Sequence, residues 1–129
     1  MFKWELIPMK SIGNIEFGCD REVVRSLLTI GYKEFKKTAF SINTTDDYGG
    51  FHCFYSEDNK LEAIEIFSDC EIVYRGITIF PASINVLREQ FSDLEKESDG
   101  FISKKYSIGL YAPGGTVESI LLGSPGYYD

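Results

Sequence analysis

Histidine occurs once in this chain of 129 residues, and cysteine three times, at Cys19, Cys53 and Cys70. A nitrogen- and sulfur-ligated metal site needs three or four ligands at a recognisable spacing, which His52 and three scattered cysteines do not supply. An odd number of widely separated cysteines gives no disulfide framework, so the thiols are expected to be reduced and buried. Long apolar runs are missing too: none approaches the length of a membrane span. The N-terminal Met-Phe-Lys-Trp-Glu-Leu-Ile-Pro places Glu5 where a signal peptide would stay apolar, so the expected compartment is the cytoplasm. Positive charge is scarce, with 13 Lys and Arg against 20 Asp and Glu and a formal net charge of −7. Such a field repels polyanions, arguing against nucleic acid and anionic membranes and favouring a basic partner.

Reaction motifs are also lacking. The glycines of Gly13-Asn-Ile-Glu-Phe-Gly18 bracket a strand, and no Gly-Lys-Ser/Thr ending makes a phosphate loop. Asp46-Asp47-Tyr-Gly-Gly lacks the alternating acids of a calcium loop. His52 and Cys53 are neighbours in a strand, so they point to opposite faces and form no local nucleophile pair. Glu62 and Glu118 read as two solvent-facing strand residues, although a glycosidase-like carboxylate pair is a conceivable alternative. The expectation is a protein that is not an enzyme and needs no cofactor. A small hydrolase using His52 is a weaker alternative.

What the chain does have is a 43% hydrophobic composition with ten Phe and eight Tyr, enough to fill the core of one domain spanning residues 1–129. It also has an internal echo. Tyr55-Ser-Glu-Asp-Asn-Lys-Leu-Glu-Ala-Ile64 aligns without a gap on Tyr111-Ala-Pro-Gly-Gly-Thr-Val-Glu-Ser-Ile120. Each reads as a β-hairpin with a turn-forming tip. Asp20 and Ser83 stand as N-caps of two helices, one carrying Val23, Val24, Leu27 and Leu28, the other Ile84, Leu87, Phe91 and Leu94. The second helix is expected to run into an acidic tail and end at Gly100. Alternation marks strands at Phe2–Leu6, Thr38–Ile42 and Gly76–Phe80. The sequence thus predicts an α+β fold: one antiparallel β-sheet of six to eight strands with two helices packed on one face. It is read as a tandem strand-helix-hairpin repeat over residues 13–67 and 76–122.

Gly18-Cys-Asp-Arg-Glu-Val-Val24-Arg-Ser-Leu-Leu28 resembles the opening of the bacterial SmpA/BamE-type module, in which a Gly, a small residue and a capping residue begin a helix that leads to a hairpin. Tandem units of this kind resemble β-lactamase inhibitory protein, and small acidic α+β domains resemble bacterial toxin-immunity proteins of the contact-dependent growth inhibition type. The resemblance implies a binder of other proteins: an immunity protein that neutralises a basic toxin, above all a nuclease, by covering its active site. An envelope or scaffold module of the SmpA/BamE kind is the alternative. Neither a lipoprotein Cys nor the usual Leu-Gly-x-Pro helix ending is present, Leu28-Thr-Ile-Gly-Tyr32 standing in its place. Acids beside tyrosines suit a basic toxin domain as partner, because rim carboxylates steer encounter and tyrosines anchor. The expected contact residues are Asp46, Asp47, Tyr48, Glu57, Asp58 and Glu62, with Asp93, Glu95, Glu97 and Asp99.

Overall fold

A computed structural model describes residues 2–129. The strands are β1 (Phe2–Ile7), β2 (Ser11–Ile12), β3 (Ile15–Glu16), β4 (Lys33–Phe35), β5 (Thr45–Asp47), β6 (Phe51–Tyr55), β7 (Leu61–Ile66), β8 (Cys70–Tyr74), β9 (Ile77–Phe80), β10 (Glu95–Glu97), β11 (Gly100–Ser103), β12 (Ile108–Tyr111) and β13 (Ser119–Gly123). Two helices, α1 (Arg21–Leu28) and α2 (Ile84–Gln90), are only eight and seven residues long. The protein is therefore mostly β, which corrects the expected α+β sheet with two helices packed on one face.

The strands form two sheets. One has eight strands in the order β10-β11-β12-β13-β7-β6-β5-β4; the other has five, β3-β2-β1-β8-β9. Alternation identifies a strand but not its neighbour, and here the decisive neighbour is remote: β1 pairs in parallel with β8, Trp4 opposite Ile72. The sheet is therefore not one and not wholly antiparallel. Where helices were expected to cover the large sheet, the small sheet does so. Phe51 of β6 meets Trp4 of β1 edge-on at 5.1 Å between ring centroids. Ile64, Ile66, Ile120 and Leu122 from the large sheet and Ile12, Ile15, Ile72 and Ile79 from the small one share a single buried cluster. The helices add Val24, Leu28 and Leu87 to it.

The large sheet is laid out evenly about its centre. β7 and β13 pair antiparallel, with Ile64 opposite Leu122 and Ile66 opposite Ile120. On either side follow three more strands. Each helix start is tied to the hairpin of its own half by a single bridge, Asp20 with Lys60 and Ser83 with Thr116. Those bridges explain why the helix starts hold without cap bonds. Neither Asp20 nor Ser83 makes a side-chain bond to its helix, and Asp20 instead forms an ion pair with Lys60.

Two further expectations give way. Thr38–Ile42 is a loop, because its alternation has no strand to pair with; Phe40 is 92% and Ile42 73% exposed. The acidic segment after α2 is not helix. Phe91 leaves the helical region at φ −128°, and Asp93 is captured by the Ser103 hydroxyl (2.8 Å) and the Lys105 amide (3.2 Å). Glu95–Glu97 then become the edge strand β10.

Candidate functional site

Cross-strand partners in a sheet share a face, so the pairing register tells which side chains stand together. One row crosses all eight strands: Lys33, Asp47, His52, Glu65, Leu121, Gly109, Ile102 and Glu95. The next row, Cys53, Ile64, Leu122 and Ile108, points the other way into the core. The first row therefore belongs to the outer face, which the small sheet does not cover. His52 lies among the rings of Phe35, Phe54 and Phe67 at 5.1, 6.3 and 4.8 Å, and its Nε2 is 3.3 Å from Asp47 Oδ1. Cys53 lies on the opposite, buried face, where burial pushes its thiol pKa well above the usual value.

The C-terminal segment folds back onto this outer face. A Cβ added at Gly109 would lie 1.9 Å from the Tyr128 hydroxyl, and one at Gly123 would lie 2.8 Å from Tyr127 Cβ. Glycine at these two positions makes the seats for both tyrosines. Beside Tyr128 runs a groove of about 330 Å³, lined by Tyr111, Leu121, Glu65, Glu97 and Asp99 among others. Beside Tyr127 runs a second, of about 310 Å³, reached by Phe54, Glu57, Glu62 and the Phe40 loop. That loop is held in shape. Ser41 Oγ accepts from the Thr38 amide at 3.0 Å, and Thr38 Oγ1 accepts from the Phe40 amide at 3.2 Å. Lys37 Nζ sits 4.2 Å from the centre of the Phe54 ring.

The base of the loop is fixed by a buried ion cluster under α1. Arg21 donates to Asp46 (2.6 and 3.4 Å), Thr44 (2.8 Å), Asn43 (3.1 Å) and Asn59 (3.3 Å), and it stacks over Tyr55 at 4.5 Å. All five N–H groups of this guanidinium have partners, a requirement for a charge with only 8% of its side chain exposed. Arg25 donates twice to Asp46, both at 2.9 Å, and once to Glu34 at 2.5 Å, with its guanidinium over Tyr32 at 4.3 Å. Burial alone would raise the Asp46 carboxyl, but the bonds from Arg25 and Arg21 outweigh it and hold the pKa below the usual carboxylate value.

The sequence-derived contact residues therefore divide. Asp46 has no exposed surface and is the hub of that cluster. Asp47 pairs with His52 and accepts from the Gly49 amide at 2.8 Å. Tyr48 stacks on Phe51 at 5.1 Å with its hydroxyl buried, and burial raises its pKa. Asp93 is spent on Ser103 and Lys105. Glu57 and Asp58 are exposed at the tip of the β6–β7 hairpin, and Glu62 is half-buried beside them. Glu95, Glu97 and Asp99 are exposed on and beside the edge strand β10. They form two separated acidic regions rather than one patch. Sequence reasoning missed Phe40, whose alternating setting hid it, and the arginine cluster. For the latter the signal was present: Arg21 and Arg25 are one helical turn apart beside the buried Val24 and Leu28.

Among the described residues, no group of three or more His, Cys, Asp and Glu is placed to hold a metal, and no helix is long and apolar enough to cross a membrane. Compared with family models, curated proteins and solved structures, the chain matches none.

Proposed function

We propose that this protein binds another protein through the outer face of its eight-stranded sheet and acts as a non-catalytic inhibitor, most concretely as an immunity protein against a basic toxin. The observation that carries this reading is the Phe40 loop. A phenylalanine left 92% exposed on a loop braced by its own hydrogen bonds contributes little to the fold, whereas it suits an anchor awaiting a pocket. Bracing the loop beforehand lowers the ordering cost of association. The outer face also offers Phe67 and Tyr111, 39% and 48% exposed, the latter in the groove with Glu97 and Asp99.

The charge of −7 selects a basic partner and speeds its approach, an effect that salt weakens. The charges are unevenly distributed: Lys33, Lys36 and Lys37 lie at or near the β4 edge, Glu65 on the central strand β7, and Glu95, Glu97 and Asp99 on or beside the β10 edge. A nuclease toxin fits, because its active-site groove must be positive to hold nucleic acid and the carboxylates on and beside the β10 edge can cover it. Such an inhibitor acts in the cytoplasm, where the toxin's substrate is. The test is growth rescue. A basic protein that is toxic when expressed alone and that co-purifies with this chain should lose its toxicity when the two are co-expressed. A bound protein whose activity is unaffected would refute the inhibitor reading.

A further inference from the structure

The groove beside Tyr128 deepens the partner-binding reading, and the role assigned to it rests on that reading. Its lining includes Leu121 from β13, Tyr111 from β12 and Tyr128 from the returning C-terminal segment. Three carboxylates line it too: the exposed Glu97 and Asp99, and the half-buried Glu65, which accepts from the Ser119 hydroxyl at 3.3 Å. The Tyr128 wall is built in, since Gly109 is the residue that leaves room for its hydroxyl. The same pairing of tyrosine ring and carboxylate is used twice elsewhere in this molecule, both times for a guanidinium: Arg21 over Tyr55 with Asp46, and Arg25 over Tyr32 with Asp46 and Glu34.

We propose that the groove is the docking seat for an arginine side chain carried by a basic segment of the protein partner. Arginine fits this chemistry better than lysine. Its guanidinium is planar and weakly hydrated, so it can lie against a tyrosine ring while its edge donates two bonds to a carboxylate. A compact ammonium would keep its water and use only the charge of the carboxylates. The three carboxylates exclude an anionic ligand, and Leu121 suits the methylene stem of the arginine.

The experiment uses the full chain, labelled with nitrogen-15, and a capped peptide of alternating Gly and Arg, with its Gly-Lys counterpart as control. The expected result is saturable shifts of the Gly100, Gly109, Tyr111, Leu121 and Tyr128 amides. The Arg peptide should bind about tenfold more tightly than the Lys peptide, the scale of one desolvated guanidinium–ring contact. Tyr111→Ala and Glu97→Gln, both at exposed positions, should each weaken the Arg peptide several-fold without loss of fold, whereas Glu16→Gln, exposed on β3 of the small sheet, should change nothing. Equal binding of the two peptides, or shifts spread evenly to Glu16, Glu22 and Glu71, would overturn the arginine seat. That result would leave the outer-face reading standing, because retention of the partner by wild type and not by outer-face variants is measured separately.

Discussion

Replacing Asp46 by alanine removes the buried carboxylate bonded to both guanidiniums and leaves them the half-exposed Glu34, at 3.8 Å from Arg21 and 2.5 Å from Arg25. Arg21 would lose two of its five bonds, and Arg25 both bonds that tie it to β5. The Asp46 side chain is fully buried and that of Arg21 is 8% exposed, so water cannot take over the pairing without opening the structure. Deleting one partner of a buried, hydrogen-bonded ion pair costs about 3–5 kcal/mol. The two arginines share a single desolvation, so the four lost bonds are not added separately. For a domain of this size the loss is a large part of a total near 5–15 kcal/mol, and it lowers Tm by on the order of 10–20 °C. Urea unfolding followed by circular dichroism reads it directly, with Asp47→Ala, at a half-exposed carboxylate, as the control expected to cost less than about 1 kcal/mol. An Asp46→Ala protein within about 1 kcal/mol of wild type would refute the reasoning. It would mean that the arginines find water or Glu34 at little cost.

The same cluster predicts a pH dependence. The folded pKa of Asp46 lies below its unfolded value, so its contribution is complete above about pH 4 and is lost as pH falls through the folded value; Asp46→Asn should flatten that acid limb of stability. Phe40→Ala should leave unfolding within about 0.5 kcal/mol of wild type but weaken partner binding by roughly ten- to a hundredfold, the worth of one buried phenylalanine. Gly109→Ala should evict Tyr128, seen as faster proteolysis of the C-terminal residues with the core unaltered, since the clash is with the far end of a side chain. Gly100→Ala meets the backbone of Leu110 at 1.8 Å instead and should cost about 3 kcal/mol, the upper end of overpacking, in thermal unfolding.

Local pattern made the elements legible more than their assembly. Trp4 and Leu6 alternate and are buried, and Asp20 and Ser83 do stand at helix starts. Burial follows from period, but pairing is a contest between remote segments. Nothing in Phe2–Ile7 says that it will lie parallel to Cys70–Tyr74 and carry a second sheet over the first. Thr38–Ile42 shows the converse error, a strand pattern without a partner. At the site, charge and residue type located exposed acids at Glu57, Asp58, Glu95, Glu97 and Asp99, yet they could not separate these from Asp46, whose neighbours in space are arginines of a helix more than 20 residues earlier. The seats of Tyr127 and Tyr128 depend on glycines in two strands, which sequence alone reads only as weak strand residues.

The central claim, that the outer sheet face binds a basic protein, is tested most directly by capture with matched variants. The tagged chain is co-expressed with the products of its neighbouring genes and washed at moderate salt, in parallel with a variant carrying Phe67→Glu, Tyr111→Glu and Phe40→Glu. The account predicts one basic protein held in stoichiometric amount by the wild type and released by the variant, with both forms equally folded. Equal retention by both, or retention of no protein by the wild type, would contradict it.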